Sequence, residues 1–213
     1  MTPAQQKEAR SKAGKARRWR AEAVERKKWR TIVVDPPWAY TLRRNDKTHR
    51  GRCVYADMSE AEIAALPVDQ WVESDAHLYL WTTNNHLAEA HRIVKAWGFD
   101  QKTVLTWVKN QIGVGGYYRN NTEHVLFAVK GKLPTQHKDT GTAFHAPRGR
   151  HSQKPDSFYD MVERMSPGPY IDVFARRHRM NWDCAGNEVY SAIPELAAAS
   201  DNEARMLRER AEG

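Results

Sequence analysis

One short segment of the chain combines a carboxylate, two prolines and an indole. Asp35–Trp38 reads Asp-Pro-Pro-Trp and directly follows the apolar, β-branched run Thr31–Val34, which predicts a buried strand. Neither proline can donate to a strand ladder, so the strand must end here in a stiff turn. The Asp35 carboxylate and the Pro36 carbonyl then form two hydrogen-bond acceptors on a rigid corner. A plain strand-ending turn with Asp35 as a cap is the alternative interpretation.

Such a corner suits the methylation of an exocyclic amine on a purine. The N6 amine of adenine is a weak nucleophile because its lone pair is delocalised into the ring. Two acceptors for its N–H groups favour a more tetrahedral nitrogen, and a preorganised pair needs no rearrangement during the reaction. Trp38 offers a face for stacking of the base, and the Asp35 carboxylate suits a cationic sulfonium donor. Amine methylation needs no cysteine nucleophile, so Cys53 and Cys184 are predicted to be structural thiols.

Alternating strand and helix patterns must position this corner, and they predict an α/β domain with a largely parallel sheet and flanking helices. Ser59 is expected to cap a helix with an incomplete capping box, and Gly98 to end the helix 87–97. Pro155 fits the first turn of a helix that runs to Met165. Further strands are expected at 76–82, 102–108, 123–129 and 169–174, a last helix from Pro194, and loops at 40–57, 109–121, 131–153 and 175–188.

Ligands of a largely parallel sheet collect at the carboxyl ends of its strands. Asp35–Trp38 follows the first predicted strand, and the segment 176–188 follows the last one. The predicted site therefore joins these two segments. Four tryptophans are assigned to the core instead of to a substrate platform: Trp71, Trp81, Trp97 and Trp107.

Composition indicates one domain preceded by a basic arm. The chain has 213 residues, which is long enough for one domain with its own core. Its composition, 40% apolar and 28% charged, is typical of a globular protein. Residues 1–30 hold 11 basic and 3 acidic residues, and the remainder holds 23 of each sign, so the net charge of +8 lies in this arm. We predict a helical arm over 1–30 that contacts phosphates, ahead of a domain over 31–213; a merely solvated basic helix would have the same composition.

The composition also excludes several classes of protein. No apolar run reaches the length of a membrane span, and no signal peptide is visible. The nine histidines and two cysteines form neither HxxxH nor CxxC, so no metal site is predicted. A cytoplasmic protein with free thiols and no membrane partner is expected.

Several further motifs follow the Asp-Pro-Pro-Trp segment in a fixed order. They are Leu80–Asn84, Trp97–Phe99, Trp107–Lys109, Glu123–Leu126, His151–Asp156, Phe174–Arg177 and Trp182–Glu188. Together with Val33–Trp38 they resemble the MT-A70 family of adenine-N6 methyltransferases, over residues 31–190. The resemblance implies a Rossmann-like fold with a permuted motif order, and S-adenosylmethionine as the methyl donor.

The same resemblance implies roles for individual residues. Asp35–Trp38 would be catalytic, and Asp35 would also face the donor. Lys154 would hold the methionine carboxylate, as befits a cation. Arg176 and His178 would line the ribose side, and Asn187 with Glu188 would bind the ribose hydroxyls, where acidic and amide groups suit a diol.

Basic and aromatic loop residues are candidates for nucleic-acid contact. They are Arg43, Arg44, Arg50, Arg52, Tyr118, Arg119, Arg148 and Arg150. The arginines could clamp phosphates or be solvated, and Tyr118 could clamp a flipped nucleotide or pack on the body. DNA is favoured over RNA as the substrate, because neither zinc-finger nor partner-subunit domains are visible. A catalytically inactive nucleic-acid-binding paralogue is the alternative from another class, and monomer or homodimer stays open.

Overall fold

The computed structural model describes residues 27–39, 57–113, 117–149, 153–186, 189, 191–193 and 196. Twelve elements lie within them. The strands are β1 (Trp29–Val34), β2 (Val72–Thr82), β3 (Asp100–Lys109), β4 (Thr122–Lys130), β5 (Ala143–Ala146), β6 (Tyr170–Val173) and β7 (Trp182–Ala185). The helices are α1 (Glu60–Ala64), α2 (Val68–Trp71), α3 (Leu87–Ala96) and α4 (Asp156–Met165), with a 3-10 turn at Asn84–His86. No helix in this part of the chain is both long and apolar enough to cross a membrane.

The seven described strands form one sheet in the order β5-β3-β4-β2-β1-β6-β7. β1 pairs in parallel with β2 on one side and with β6 on the other, and β6 pairs in parallel with β7. β4 is antiparallel to both β2 and β3, while β3 and β5 are parallel, so β4 alone runs against the others. The predicted α/β, mostly parallel Rossmann-like sheet is confirmed. The carboxyl end of β1, flanked by strands from two distant parts of the chain, is where such sheets bind ligands.

Strand periodicity divides the core between the two faces of the sheet. Side chains alternate along a strand, so Ile32 and Val34 join one apolar cluster while Val33, between them, joins the other. The first cluster includes Ile93 of α3, and the second includes Phe158 of α4. The sheet is therefore covered on both faces. The predicted core tryptophans are confirmed, since Trp71, Trp81, Trp97 and Trp107 are at most 4% exposed.

Two helix ends can be explained by their residues: the start of α1 at Ser59 and the end of α3 at Gly98. Gly98 adopts a φ of +78° just after α3, as predicted for a residue that ends a helix. The prediction of an incomplete capping box at Ser59 is wrong. The Ser59 side chain accepts from the Glu62 backbone N–H while the Glu62 side chain accepts from the Ser59 N–H, so the box is complete.

Three elements depart from the predicted pattern. The helix α2 was not predicted, and β5 and β7 lie inside segments expected to be loops, 131–153 and 175–188. Both strands have only four residues, too few to show a clear alternation of apolar and polar positions. β5 pairs in parallel with the distant β3, and β7 pairs in parallel with β6, the strand directly before it. The arm 1–26, the loop 40–56 and most of the tail after Pro194 lie outside the described residues.

A buried polar cluster lies away from the strand ends that carry the candidate site. His77 of β2 is fully buried, with its Nδ1 2.7 Å from the Ser166 hydroxyl and its Nε2 2.9 Å from the Leu133 carbonyl oxygen. The Tyr79 hydroxyl also lies 2.7 Å from Ser166 Oγ. Burial lowers the pKa of His77, although its bond to the Leu133 carbonyl opposes this. The neutral ring therefore ties two connecting segments to the sheet.

Acidification should destabilise the fold through His77. Its folded pKa lies below the unfolded value of about 6.5, so this contribution is complete above that pH and is lost as the pH falls toward the folded pKa. We expect the free energy of unfolding of the wild type to approach that of His77→Gln between about pH 7.5 and 5.5. Urea denaturation at the two pH values measures this. The exposed His145→Gln serves as control, and a constant gap between wild type and His77→Gln would contradict the prediction.

Candidate active site

The Asp-Pro-Pro-Trp corner is fixed to the sheet by its backbone. The Asp35 N–H donates to the Val173 carbonyl of β6 at 3.2 Å, and the Trp38 N–H donates to the Pro36 carbonyl at 2.9 Å. The Met58 N–H donates to the Pro37 carbonyl at 2.7 Å. The Pro36 carbonyl thus has one lone pair engaged, and a carbonyl oxygen has a second one to offer. The expected rigid corner is present.

Trp38 is placed differently from the expected stacking platform. Its side chain is only 6% exposed, and its Nε1–H donates to the Trp81 carbonyl of β2 at 3.0 Å. The His86 ring stacks on it with centroids 5.1 Å apart and planes 12° apart. Since His86 covers one face and the core takes most of the rest, the indole braces the corner against β2. The geometry does not favour base stacking on Trp38.

Asp35 belongs to a compact group of charges. The Lys154 ammonium lies 3.0 Å from Asp35 Oδ2 and 2.9 Å from Glu123 Oε2, and it sits 4.6 Å from the centroid of the Trp81 ring. Lys109 Nζ lies 2.5 Å from the other oxygen of Glu123. Lys154, expected to hold a methionine carboxylate, is therefore already bound to two carboxylates of the chain, one of them Asp35.

Burial and these neighbours set the ionisation of the group. Burial raises the pKa of Asp35, with Lys154 opposing and Glu123 adding to the rise. Burial would also raise the pKa of Glu123, but Lys154 and Lys109 outweigh it and lower this pKa to about 2. Burial would lower the pKa of Lys154, but Asp35 and Glu123 outweigh it and raise this pKa. At neutral pH Glu123 and Lys154 are charged, and Lys154 is the main group that favours an ionised Asp35.

A pocket opens beside Asp35 at the carboxyl ends of β1 and β6. It is lined by Asp35, Gln153, Lys154, Tyr159, Asp172 and the segment Phe174–Arg177. The Tyr159 hydroxyl donates to Asp172 Oδ2 at 2.8 Å. Burial raises the pKa of Asp172 to about 7, and the Tyr159 bond opposes the rise. Two carboxyl groups, Asp35 and Asp172, and the cationic side chains of Lys154 and Arg176 thus line one cavity. Such a lining suits a ligand that carries both positive and negative groups.

Acidic residues of α4 hold the loop after β6. Arg177 binds Asp156, and Arg179 binds both Asp160, at 2.6 Å, and Glu163, at 2.9 Å. Both guanidinium groups lie within 6 Å of the Tyr159 ring, at 5.9 and 5.5 Å from its centroid. These bonds hold the segment that carries Arg176 and His178, the two residues of this loop that the sequence assigned to the ligand.

Arg176 directly precedes Arg177, and His178 lies between Arg177 and Arg179. Arg176 lines the pocket, and its charge opposes the rise that burial causes in the pKa of Asp35. The His178 Nδ1 lies 3.1 Å from the Cys184 sulfur, and burial raises the pKa of that thiol, in keeping with its predicted structural role. Asn187 and Glu188 lie outside the described residues, just after β7. Of the described residues predicted to bind the donor, Asp35, Lys154 and Arg176 line one pocket, whereas His178 contacts Cys184 and is not part of that lining.

The candidate nucleic-acid residues are only partly described. Tyr118 is 91% exposed and its neighbour Tyr117 fully so, on the connection between β3 and β4. The Arg119 Nε–H donates to the Gly113 carbonyl at 2.8 Å, and the Arg148 backbone N–H donates to Asn110 Oδ1 at 3.2 Å. Packing of Tyr118 on the body, the alternative interpretation, is not observed. Outside the described residues lie Arg43, Arg44, Arg50, Arg52 and Arg150.

Sequence reasoning assigned no role to Glu123, Tyr159 or Asp172. Glu123 opens one of the motifs that carry the family resemblance, and an acidic residue at the start of an apolar strand was a usable signal. Asp172 is a single acid within a predicted buried strand, which demands a partner. Its partner Tyr159 could not be identified without the position of α4.

Comparisons with known proteins identify the family that the sequence matches. The sequence model of the MT-A70 family matches residues 29–188. The Type II methyltransferase M.MunI of a Mycoplasma species is 30% identical over 186 residues, which cover 78% of this chain and 80% of that protein. A Drosophila melanogaster N(6)-adenosine-methyltransferase MT-A70-like protein is 30% identical over 76% of this chain and 27% of its own length. The human N(6)-adenosine-methyltransferase catalytic subunit METTL3 is 29% identical over 76% of this chain and 28% of its own length.

Proposed function

The chain belongs to the MT-A70 family, and from that premise we propose that it transfers a methyl group from S-adenosylmethionine to the N6 amine of adenine in DNA. The observation that carries the proposal is the position of Asp35. It lies on the two-proline corner at the carboxyl end of β1, at the edge of the pocket, with Lys154 3.0 Å from its carboxylate. This is an acceptor held in place before any substrate arrives.

The pocket suits the proposed donor by the chemistry of its lining. When bound, S-adenosylmethionine would supply an electrophilic methyl group on a positively charged sulfur. Asp35 and Asp172 would face its positive groups, and Arg176 would face its carboxylate. Lys154 would act mainly on Asp35, because both partners that it contacts belong to the chain. Asn187 and Glu188 remain the proposed ribose ligands, and His178 remains proposed for the ribose side.

The corner would orient the target amine. One N–H would donate to the Asp35 carboxylate and the other to the second lone pair of the Pro36 carbonyl, so that the nitrogen lone pair points to the methyl group. After transfer the nitrogen carries an extra proton, which an ionised Asp35 can accept. Trp38 would contribute by holding the corner against β2 through its bond to the Trp81 carbonyl.

DNA is the proposed substrate because of the share of each relative's length that the chain covers. The chain spans 80% of a Type II methyltransferase, but less than a third of the N(6)-adenosine-methyltransferases that it matches. Those same relatives make RNA the second candidate. Tyr118 on its exposed loop would stack on bases, and Arg119 beside it, with the other candidate arginines, would contact phosphates. The basic arm 1–30 would add charge contacts that do not distinguish DNA from RNA.

Matched DNA and RNA oligonucleotides with one adenine should separate the candidates. We expect the protein, given S-adenosylmethionine, to produce N6-methyladenine on DNA at a rate well above that on RNA. Nucleoside analysis by mass spectrometry after complete digestion measures both. A higher rate on RNA would replace the proposed substrate, and no product on either would leave an inactive nucleic-acid-binding protein. Titration calorimetry with the donor then tests whether the pocket binds it at all.

A further inference from the structure

A row of four alternating charges leads from the end of β3 to the catalytic corner. In order, its members are Lys109, Glu123, Lys154 and Asp35, joined by contacts of 2.5, 2.9 and 3.0 Å. Their side chains are between 9% and 23% exposed, so solvent screens them only partly. The first member, Lys109, has no part in the function proposed above.

Lys109 is held more firmly than a lysine at a strand end usually is. Its backbone N–H donates to the Asn121 carbonyl at 2.8 Å, where the chain returns into β4. Its ammonium binds Glu123 and lies 4.8 Å from the centroid of the Trp107 ring. A surface lysine normally extends its ammonium into water. Here the Lys109 ammonium instead contacts Glu123, the next member of the row.

Glu123 divides its two oxygens between the two lysines. Oε1 accepts from Lys109 and Oε2 accepts from Lys154. If Lys109 were neutral, Oε1 would lose its cation, and the carboxylate could turn to present both oxygens to Lys154. This would draw the Lys154 ammonium away from Asp35. The row would also change from zero net charge to −1, which favours uptake of a proton.

From these contacts we infer that Lys109 is a positioning residue, which keeps Asp35 oriented and ionised by fixing Glu123 against Lys154. The kinetic consequence rests on the proposed methyl transfer, whereas the electrostatic relation concerns this chain alone. Other groups also act on Asp35: Glu123 and burial raise its pKa, Lys154 and Arg176 lower it, and Asp172 lies across the same pocket. A lost positive charge would therefore add to an existing tendency toward protonation.

The test compares Lys109→Met with Lys109→Arg, and uses Lys102→Met as the matched control. Lys102 lies on the same strand, in an exposed ion pair with Asp100 at the strand's far end. Carbon-13 NMR follows the titration of the Asp35 carboxyl carbon. Its resonance is assigned as the one that is lost in Asp35→Asn. Steady-state kinetics across pH give kcat and the KM for the donor.

In Lys109→Met the Asp35 titration midpoint should move upward. Near neutral pH kcat should fall on the order of tenfold, since one pKa unit is a tenfold change in proton affinity. The KM for the donor should stay unchanged. Lys109→Arg should restore both the midpoint and kcat, and Lys102→Met should match the wild type.

An unchanged Asp35 midpoint in folded Lys109→Met would overturn the inference, whatever the activity. So would a lower melting temperature with an unaltered pH profile, because that marks a merely structural role. Lys109→Gln repeats the test if the methionine variant does not fold. If the wild type forms no N6-methyladenine while the midpoint still moves, the proposed function fails and the positioning role of Lys109 stands.

Discussion

Replacing Asp35 with Asn should reduce methyl transfer by at least about 10²-fold, the loss typical when one preorganised polar partner of the reacting group is removed. The amide keeps the size of the side chain but carries no charge, so it accepts the substrate N–H more weakly and cannot take up the proton released from nitrogen. Donor affinity should change far less, because other residues line the same pocket. Single-turnover kinetics at saturating donor, together with calorimetry of donor binding, measure the two effects separately.

Asp139→Asn is the matched control for this substitution. Asp139 is an exposed carboxylate paired with Arg164 and takes no part in the pocket, so its replacement should leave turnover unchanged. Urea denaturation of both variants checks that the fold persists. Activity of Asp35→Asn within a few-fold of the wild type would show that the acceptor lies elsewhere and would remove the basis of the proposed mechanism.

The longer strands and the largely parallel type of the sheet could be predicted from the sequence, because strand periodicity and two-proline chemistry are local signals. A buried strand and its abrupt end are predicted by the apolar run Thr31–Val34 and by the prolines of the segment Asp35–Trp38 that follows it. The structure adds that β6 pairs beside β1, which brings the segment 174–177 to the same edge. That pairing joins residues about 140 positions apart. The rule that ligands collect at strand ends predicted that the two segments meet, but no local pattern specified which strands pair.

The function of individual side chains was harder to predict, since it depends on what each one faces. Trp38 has the residue type of a stacking platform, but Trp81 and His86 enclose it. Lys154 has the charge expected for a ligand carboxylate, but Asp35 and Glu123 already occupy two of its bonds. In both cases residue type indicated the kind of contact, a stacked ring and an ion pair, and the neighbours in the fold determined the partner.

Removing the charge of Lys154 should be the most destabilising single change in this site. Its side chain is 9% exposed and contacts two carboxylates that are 23% and 19% exposed. Lys154→Met keeps the apolar stem but leaves both carboxylates close together without the shared cation. We expect a loss of about 3–5 kcal/mol in the free energy of unfolding, the usual cost of an uncompensated buried charge. Urea denaturation near neutral pH measures it.

The loss should depend on pH and on Glu123 in a way that a packing defect would not. Carboxyl groups left unpaired bind protons more tightly in the folded state, so the deficit should shrink as the medium is acidified. Adding Glu123→Gln to Lys154→Met removes one of the opposed charges and should recover part of the stability. The exposed pair of Lys102 and Asp100 gives the control, since Lys102→Met should cost within about 1 kcal/mol. A deficit that is constant with pH and unrelieved by Glu123→Gln would mean that Lys154 acts through its stem alone, and that Asp35 owes its ionisation to other groups.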